Sequence, residues 1–179
     1  NKARMFINSD IDSSFLYAEK IELSSNRLHR AFAKGLKSYL YQLYGDPEKS
    51  SVFYNEAQNL MKEVPDSREK KVISAHLHNY EGLASWKRNN LNEALESYWK
   101  GKKISESIAD TRQVVKFNYN ISLVNIELGN YKGAVNSLKE SEQAIENSAR
   151  TYKRQEFMNS MSSINLYLGN AYEKYFHEN

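Results

Sequence analysis

Gly82-Leu83-Ala84-Ser85-Trp86-Lys87-Arg88-Asn89 leads into Ala94, Tyr98 and Gly101, and this stretch decides the architecture. Counted from Gly82, the marked residues stand at offsets three (Ser85), seven (Asn89), twelve (Ala94), sixteen (Tyr98) and nineteen (Gly101). Forty residues on, the skeleton returns as Ser122, Asn125, Gly129, Ala134, Leu138 and Ser141, and forty further as Ser162, Asn165 and Gly169. Leu128-Gly129-Asn130 and Leu168-Gly169-Asn170 are identical triplets. Forty-four residues back it reads Ser38, Tyr41, Gly45, Ser50, Tyr54 and Ala57, the extra residues falling around Pro65-Asp66. Asp12-Ser13-Ser14-Phe15-Leu16-Tyr17 parallels Lys49-Ser50-Ser51-Val52-Phe53-Tyr54, as the second half of one more unit.

The skeleton has a physical reading. Apolar residues recur at helical spacing, first at Leu77, Tyr80, Leu83 and Ala84, then at Leu91, Ala94, Leu95 and Tyr98. A glycine or asparagine at offset seven ends the first helix in a left-handed cap. Small residues at offsets zero, twelve and nineteen let antiparallel helices approach closely. Asp110-Thr111 is positioned to cap a following helix. Each unit is therefore a helical hairpin whose apolar faces need a neighbour. The expected division is a half repeat over 1–26, repeats over 27–66, 67–109 and 110–149, and a partial fourth over 150–179. With both ends inside a unit and no initial methionine, the stretch reads as part of a longer chain.

Composition agrees. The chain has 179 residues, 40% apolar and 26% charged, with a mean hydropathy of −0.74, which suits a packed domain rather than a disordered one. Two prolines and seven glycines argue against a turn-rich all-β chain. Without cysteine, disulfide scaffolds, thiol catalysis and cysteine-ligated zinc are excluded. No apolar run is long enough to span a membrane. The formal charge of +3 is interspersed and calls for no nucleic-acid or membrane partner. Arg27, Arg30, Lys34 and Lys37 form one basic helical stripe, which reads as a solvated face, with an acidic partner as the alternative.

The pattern of Gly82, Leu91, Ala94 and Tyr98, and of Gly129, Tyr131 and Ala134, resembles the tetratricopeptide repeat. The likeness covers about Arg27 to Phe176. It departs from the family in a period of 40 to 44 residues, against ~34. It also departs in the residues four before the small position, where a bulky residue is expected and His78, Asn118 and Met158 stand. The resemblance implies an all-α right-handed superhelix of about three and a half antiparallel hairpins. It extends to the N-terminal repeat region of Bacteroidetes regulators carrying a helix-turn-helix module, which implies a signal-sensing role in transcription. A static scaffold or homo-oligomerisation surface is the alternative.

Motifs for chemistry are scarce. His76 and His78 point roughly 200° apart on a helix and cannot share a metal. Neither a His-Glu-x-x-His zinc motif nor a glycine-rich phosphate loop occurs. We expect no catalysis, no metal and no cofactor. In the resembled family the first helix of each hairpin lines a concave groove. That geometry assigns a peptide or protein segment to His76, Asn79, Tyr80 and Lys87, to Lys116, Tyr119, Asn120 and Glu127, and to Glu156, Asn159, Ser160 and Tyr167. The first unit offers mostly apolar Phe32, Leu36, Tyr39 and Leu43. The asparagines would pair with an extended backbone and the tyrosines give stiff contact area. Trp86, Trp99, Phe117, Tyr119 and Tyr131 read as core, and Lys100-Lys102-Lys103 as a solvated turn. The apolar end at Tyr172, Tyr175 and Phe176 needs a cover, supplied by continuing chain or a second copy. The expected compartment is the cytoplasm, and the absence of cysteine fits a periplasmic domain of an anchored regulator equally.

Overall fold

The computed structural model describes residues 11–148 and 154–177, except for the side chains of 154–158 and 160. The Glu156, Met158 and Ser160 side chains therefore lie outside the described residues. The fold is all-α: α1 (Ile11–Glu22), α2 (Arg27–Tyr44), α3 (Pro47–Lys62), α4 (Arg68–Lys87), α5 (Leu91–Ser107), α6 (Thr111–Glu127), α7 (Tyr131–Asn147) and α8 (Arg154–His177). No strand occurs among the described residues. The chain divides into two compact units, Asn1–Ser97 and Tyr98–Asn179, with the divide inside α5.

The turns follow from single residues. Gly45 (φ 86°), Asn89 (φ 63°) and Gly129 (φ 73°) all stand at offset seven and all adopt the left-handed conformation. Behind each, the next N–H bonds to the carbonyl at offset three: Asp46 to Tyr41 (2.9 Å), Asn90 to Ser85 (2.9 Å) and Asn130 to Asn125 (2.8 Å). This six-to-one closure satisfies a carbonyl that the helix end would orphan. The following helix is then capped by a side chain. Asp46 accepts from the Lys49 N–H, Asp110 from Gln113 and Asn130 from Gly133, while Pro47 occupies the first turn of α3, where a missing N–H costs nothing.

The closure recurs at the end of α5, where Asp110 N–H bonds Ser105 O at 2.9 Å. There the left-handed residue is Ala109, at φ 54°. A Cβ in that region costs roughly 1–2 kcal/mol. Ala109→Gly should therefore stabilise the protein by about 0.5–1 kcal/mol after the added unfolded-state entropy. A rise in the urea midpoint at unchanged slope is the expected readout, and a fall would show the strain to be absent.

In the first unit α2 packs on α1, α3 and α4. One cluster joins Ala18 of α1 to Phe32, Leu36 and Leu40 of α2 and Tyr80 of α4, and a second joins Leu28 and Ala31 to Ala57, Met61 and Leu77. In the second unit α7 packs between α6 and α8, with Ala134, Val135, Leu138 and Ile145 against Ile164, Leu168 and Ala171. Gly101 lies against the ring tip of Phe117, so the small residue at offset nineteen does bring two helices together.

Four expectations need correction. Gly169 does not end a helix, because α8 runs unbroken from Arg154 to His177. Its buried Ile164, Leu168 and Ala171 repeat the spacing of Phe117, Ile121 and Val124 in α6, 47 residues earlier. A break at Gly169 would unseat Ala171 from α7, and one glycine inside a helix costs only about 1 kcal/mol. The basic stripe is not a solvated face. Arg27 pairs with Glu63 in the open, while Lys34 pairs with Glu22 (2.7 Å) and Glu56 (2.5 Å) and Lys37 with Glu22 (2.6 Å), so the two lysines of the stripe tie α2 to α1 and α3. The Lys100-Lys102-Lys103 turn holds a buried member, for Lys102 is 5% exposed, reaches Glu140 of α7 at 2.5 Å and lies over the Trp99 ring. Trp99 itself is 39% exposed rather than core, whereas Phe117 is fully buried.

Candidate functional site

The residues assigned to a groove separate by burial. On α4, Asn79 and Tyr80 are buried, at 1% and 2% exposure, while His76 is half-buried and Lys87 exposed. On α6, Asn120 is buried, Lys116 and Tyr119 are half-buried and Glu127 is exposed. On α8, Asn159 is exposed and Tyr167 half-buried. Asn79 and Asn120 are therefore turned away from solvent in this arrangement. Each sits next to a half-buried neighbour, His78 or Tyr119.

Within the first unit the rings assemble across α2 and α4. Phe32 meets His76 edge-on at 5.5 Å, and Tyr39 stacks on Tyr80 at 6.0 Å with planes 15° apart. Phe32 also meets Tyr80 at 6.1 Å. Burial pushes the Tyr39 phenol above its ordinary pKa, so it remains a neutral donor. Phe32 and Tyr39, read from the sequence as the apolar contribution of the first unit, thus belong to the same face as His76.

Within the second unit Tyr119 of α6 meets Tyr167 of α8 edge-to-face, with centroids 4.9 Å apart. Burial, then the hydrogen bond to Tyr167 and that ring's charge, hold the Tyr119 phenol far above the ordinary tyrosine range. The two expected residues are genuine neighbours, but by a different route. The 40-residue register would have set Tyr119 beside Asn159; the packing register of α8 sets it beside Tyr167. Asn159 belongs two helical turns nearer the start of α8.

Among the described residues no cluster of His, Asp and Glu could hold a metal ion. No helix among them is long and apolar enough to cross a membrane. Comparison with protein-family models and with curated protein sequences returned no match.

Proposed function

We propose that this is a non-catalytic, tetratricopeptide-like domain that binds a peptide or protein segment along the first helices of its hairpins. Its role is the signal-sensing region of a bacterial transcription regulator. The observation that carries the reading is the aromatic pairing between successive first helices: Phe32 with His76, Tyr39 with Tyr80, and Tyr119 with Tyr167. The half-buried Tyr119 and Tyr167 rings, with Lys116 one turn before Tyr119 and Glu127 about two turns after it on α6, provide stiff apolar area with polar edges, which suits an extended chain. A ligand that prefers one arrangement of the hairpins would shift the population seen by an attached output module.

The test is selection from a randomised peptide library displayed on phage, followed by anisotropy titration of the selected peptide. Tyr119→Ala and Tyr167→Ala should each weaken binding at least tenfold, the loss that truncating an interface anchor brings. Unchanged affinity in both, with the fold intact, would remove these helices from the binding surface. A second reading, a self-assembly surface, is favoured by the exposed Leu166 (62%) and Phe176 (71%) of α8. Sedimentation of the same samples separates the two, since self-assembly gives a mass that grows with concentration and falls back in Phe176→Glu.

A further inference from the structure

A polar cavity of about 110 Å³ lies between α2, α3 and α4, lined by Ser38, Ser50, Ser51, Tyr54, Asn55, Glu81 and Arg88. It draws on none of the groove residues. Its floor is the buried pair Ser38 and Ser50, both 2% exposed, with hydroxyls 3.4 Å apart. Its wall is a loose ion pair. The Arg88 guanidinium donates to Ser85 Oγ at 3.0 Å and Gln42 Oε1 at 3.3 Å, and lies 3.5 Å from the Glu81 carboxylate. The Tyr54 hydroxyl accepts from the Gln58 side-chain amide at 2.9 Å.

The repeat shows that this lining is not forced by the architecture. At the matching positions of the next hairpin the sequence has Gly82 for Ser38, Ala94 for Ser50, Leu95 for Ser51, Trp99 for Asn55, Ile121 for Glu81 and Leu128 for Arg88. Only the tyrosine is kept, as Tyr98. The third hairpin is also largely apolar there, with Ala134, Val135 and Leu138 for Ser50, Ser51 and Tyr54. Hydroxyls and a part-buried ion pair stabilise a helix junction less than well-packed apolar residues of similar volume. The first hairpin is therefore polar at positions where the sequence of its neighbours is mostly apolar.

We propose that this cavity binds a compact zwitterion, a free α-amino acid no larger than serine. A guanidinium and a carboxylate side by side complement a ligand that carries a carboxylate and an ammonium. A simple anion or cation would satisfy one and leave the other facing a like charge. The serine hydroxyls serve the remaining ligand atoms as donors or acceptors. The volume, room for about four waters, matches the main-chain atoms and a short side chain, and a longer apolar side chain would be left against the polar, exposed rim of Ser51, Asn55 and Arg88.

The experiment is thermal unfolding of the purified chain with glycine, L-serine, L-leucine, sodium acetate or methylammonium chloride at matched ionic strength. Glycine or L-serine should give a saturable rise in Tm, about 5 °C at a hundredfold excess over Kd, with no rise from the other three. Glu81→Gln and Arg88→Gln should abolish it. Ser51→Leu, which sets at the cavity rim the residue the next repeat uses, should fold and abolish the response. No saturable rise with either small amino acid, or a rise that survives in Ser51→Leu, overturns the proposal. An equal rise with acetate also overturns it, showing an anion site instead.

Discussion

Gly101→Ala is expected to lower the free energy of unfolding by about 2 kcal/mol, although alanine is the better helix former. Propensity alone would favour the substitution by about 1 kcal/mol. A Cβ on Gly101 would land on the ring tip of Phe117, closer than van der Waals contact permits, and three ring atoms are involved. Phe117 is fully buried and cannot swing to solvent; the ring of buried Tyr98 stands 6.4 Å away. Overlap with three ring atoms puts the overpacking cost at about 3 kcal/mol, the upper end of its usual range, so the steric cost exceeds the propensity gain by about 2 kcal/mol. The reciprocal change tests the cause. Phe117→Leu shortens the intruding side chain and should cost stability alone, yet recover much of the loss when combined with Gly101→Ala. A double-mutant cycle by urea unfolding measures that coupling. Strict additivity would mean that the two residues do not oppose each other.

The second large effect is electrostatic and depends on pH. Glu22 sits at the end of α1 between Lys34 and Lys37, whose ammonium groups both lie 5.3 Å over the Phe53 ring. Burial works against ionising Glu22, but the hydrogen bonds from Lys34 and Lys37, with their charges, outweigh it and hold the carboxyl below its ordinary 4.5. Glu22→Gln leaves Lys37, only 9% exposed, without its charge partner. The expected loss at pH 7 is about 1–2 kcal/mol, since the site is partly wetted and the geometry is good. A carboxyl depressed by folding contributes stability that is complete above pH 4.5 and is lost as pH falls through the lower folded value. The curves for the native chain and Glu22→Gln should therefore run parallel near neutrality and converge in acid. A gap that stays constant down to pH 2 would assign the loss to packing.

Much of the fold is legible in the sequence because its turns are local. Gly45, Asn89 and Gly129 each declare a helix end, and Asp110 a helix start, within a window of a few residues. Ala94, Tyr98, Ala134 and Leu138 are core for the same reason, since spacing alone puts them on one face. The fourth unit resisted that reading because a slip of seven residues, two helical turns, rotates an apolar face by only about 20°. Ile164 therefore looks equivalent to Val124 forty residues back and to Phe117 forty-seven back, and only the contact with α7 decides. The buried lysines escaped for a different reason. Lys37 and Lys102 read as surface until Glu22 and Glu140, 15 and 38 residues away, come within reach. Of the candidate site, ring positions such as Tyr119 and Tyr167 were legible from residue type. The burial of Asn79 and Asn120 was not, because it depends on which helices crowd their shared face.

The divide inside α5 has an optical consequence. Trp86 and Trp99, the only two indoles in the chain, fall on opposite sides of it, one in each compact unit. Trp86 is half-buried and Trp99 is 39% exposed, so the second emits from the wetter environment and at the longer wavelength. Replacing either indole with phenylalanine leaves a chain whose tryptophan emission, excited at the red edge where tyrosine does not absorb, comes from a single unit. The molecule thus carries its own pair of reporters, through which the melting of each half is followed without any added dye.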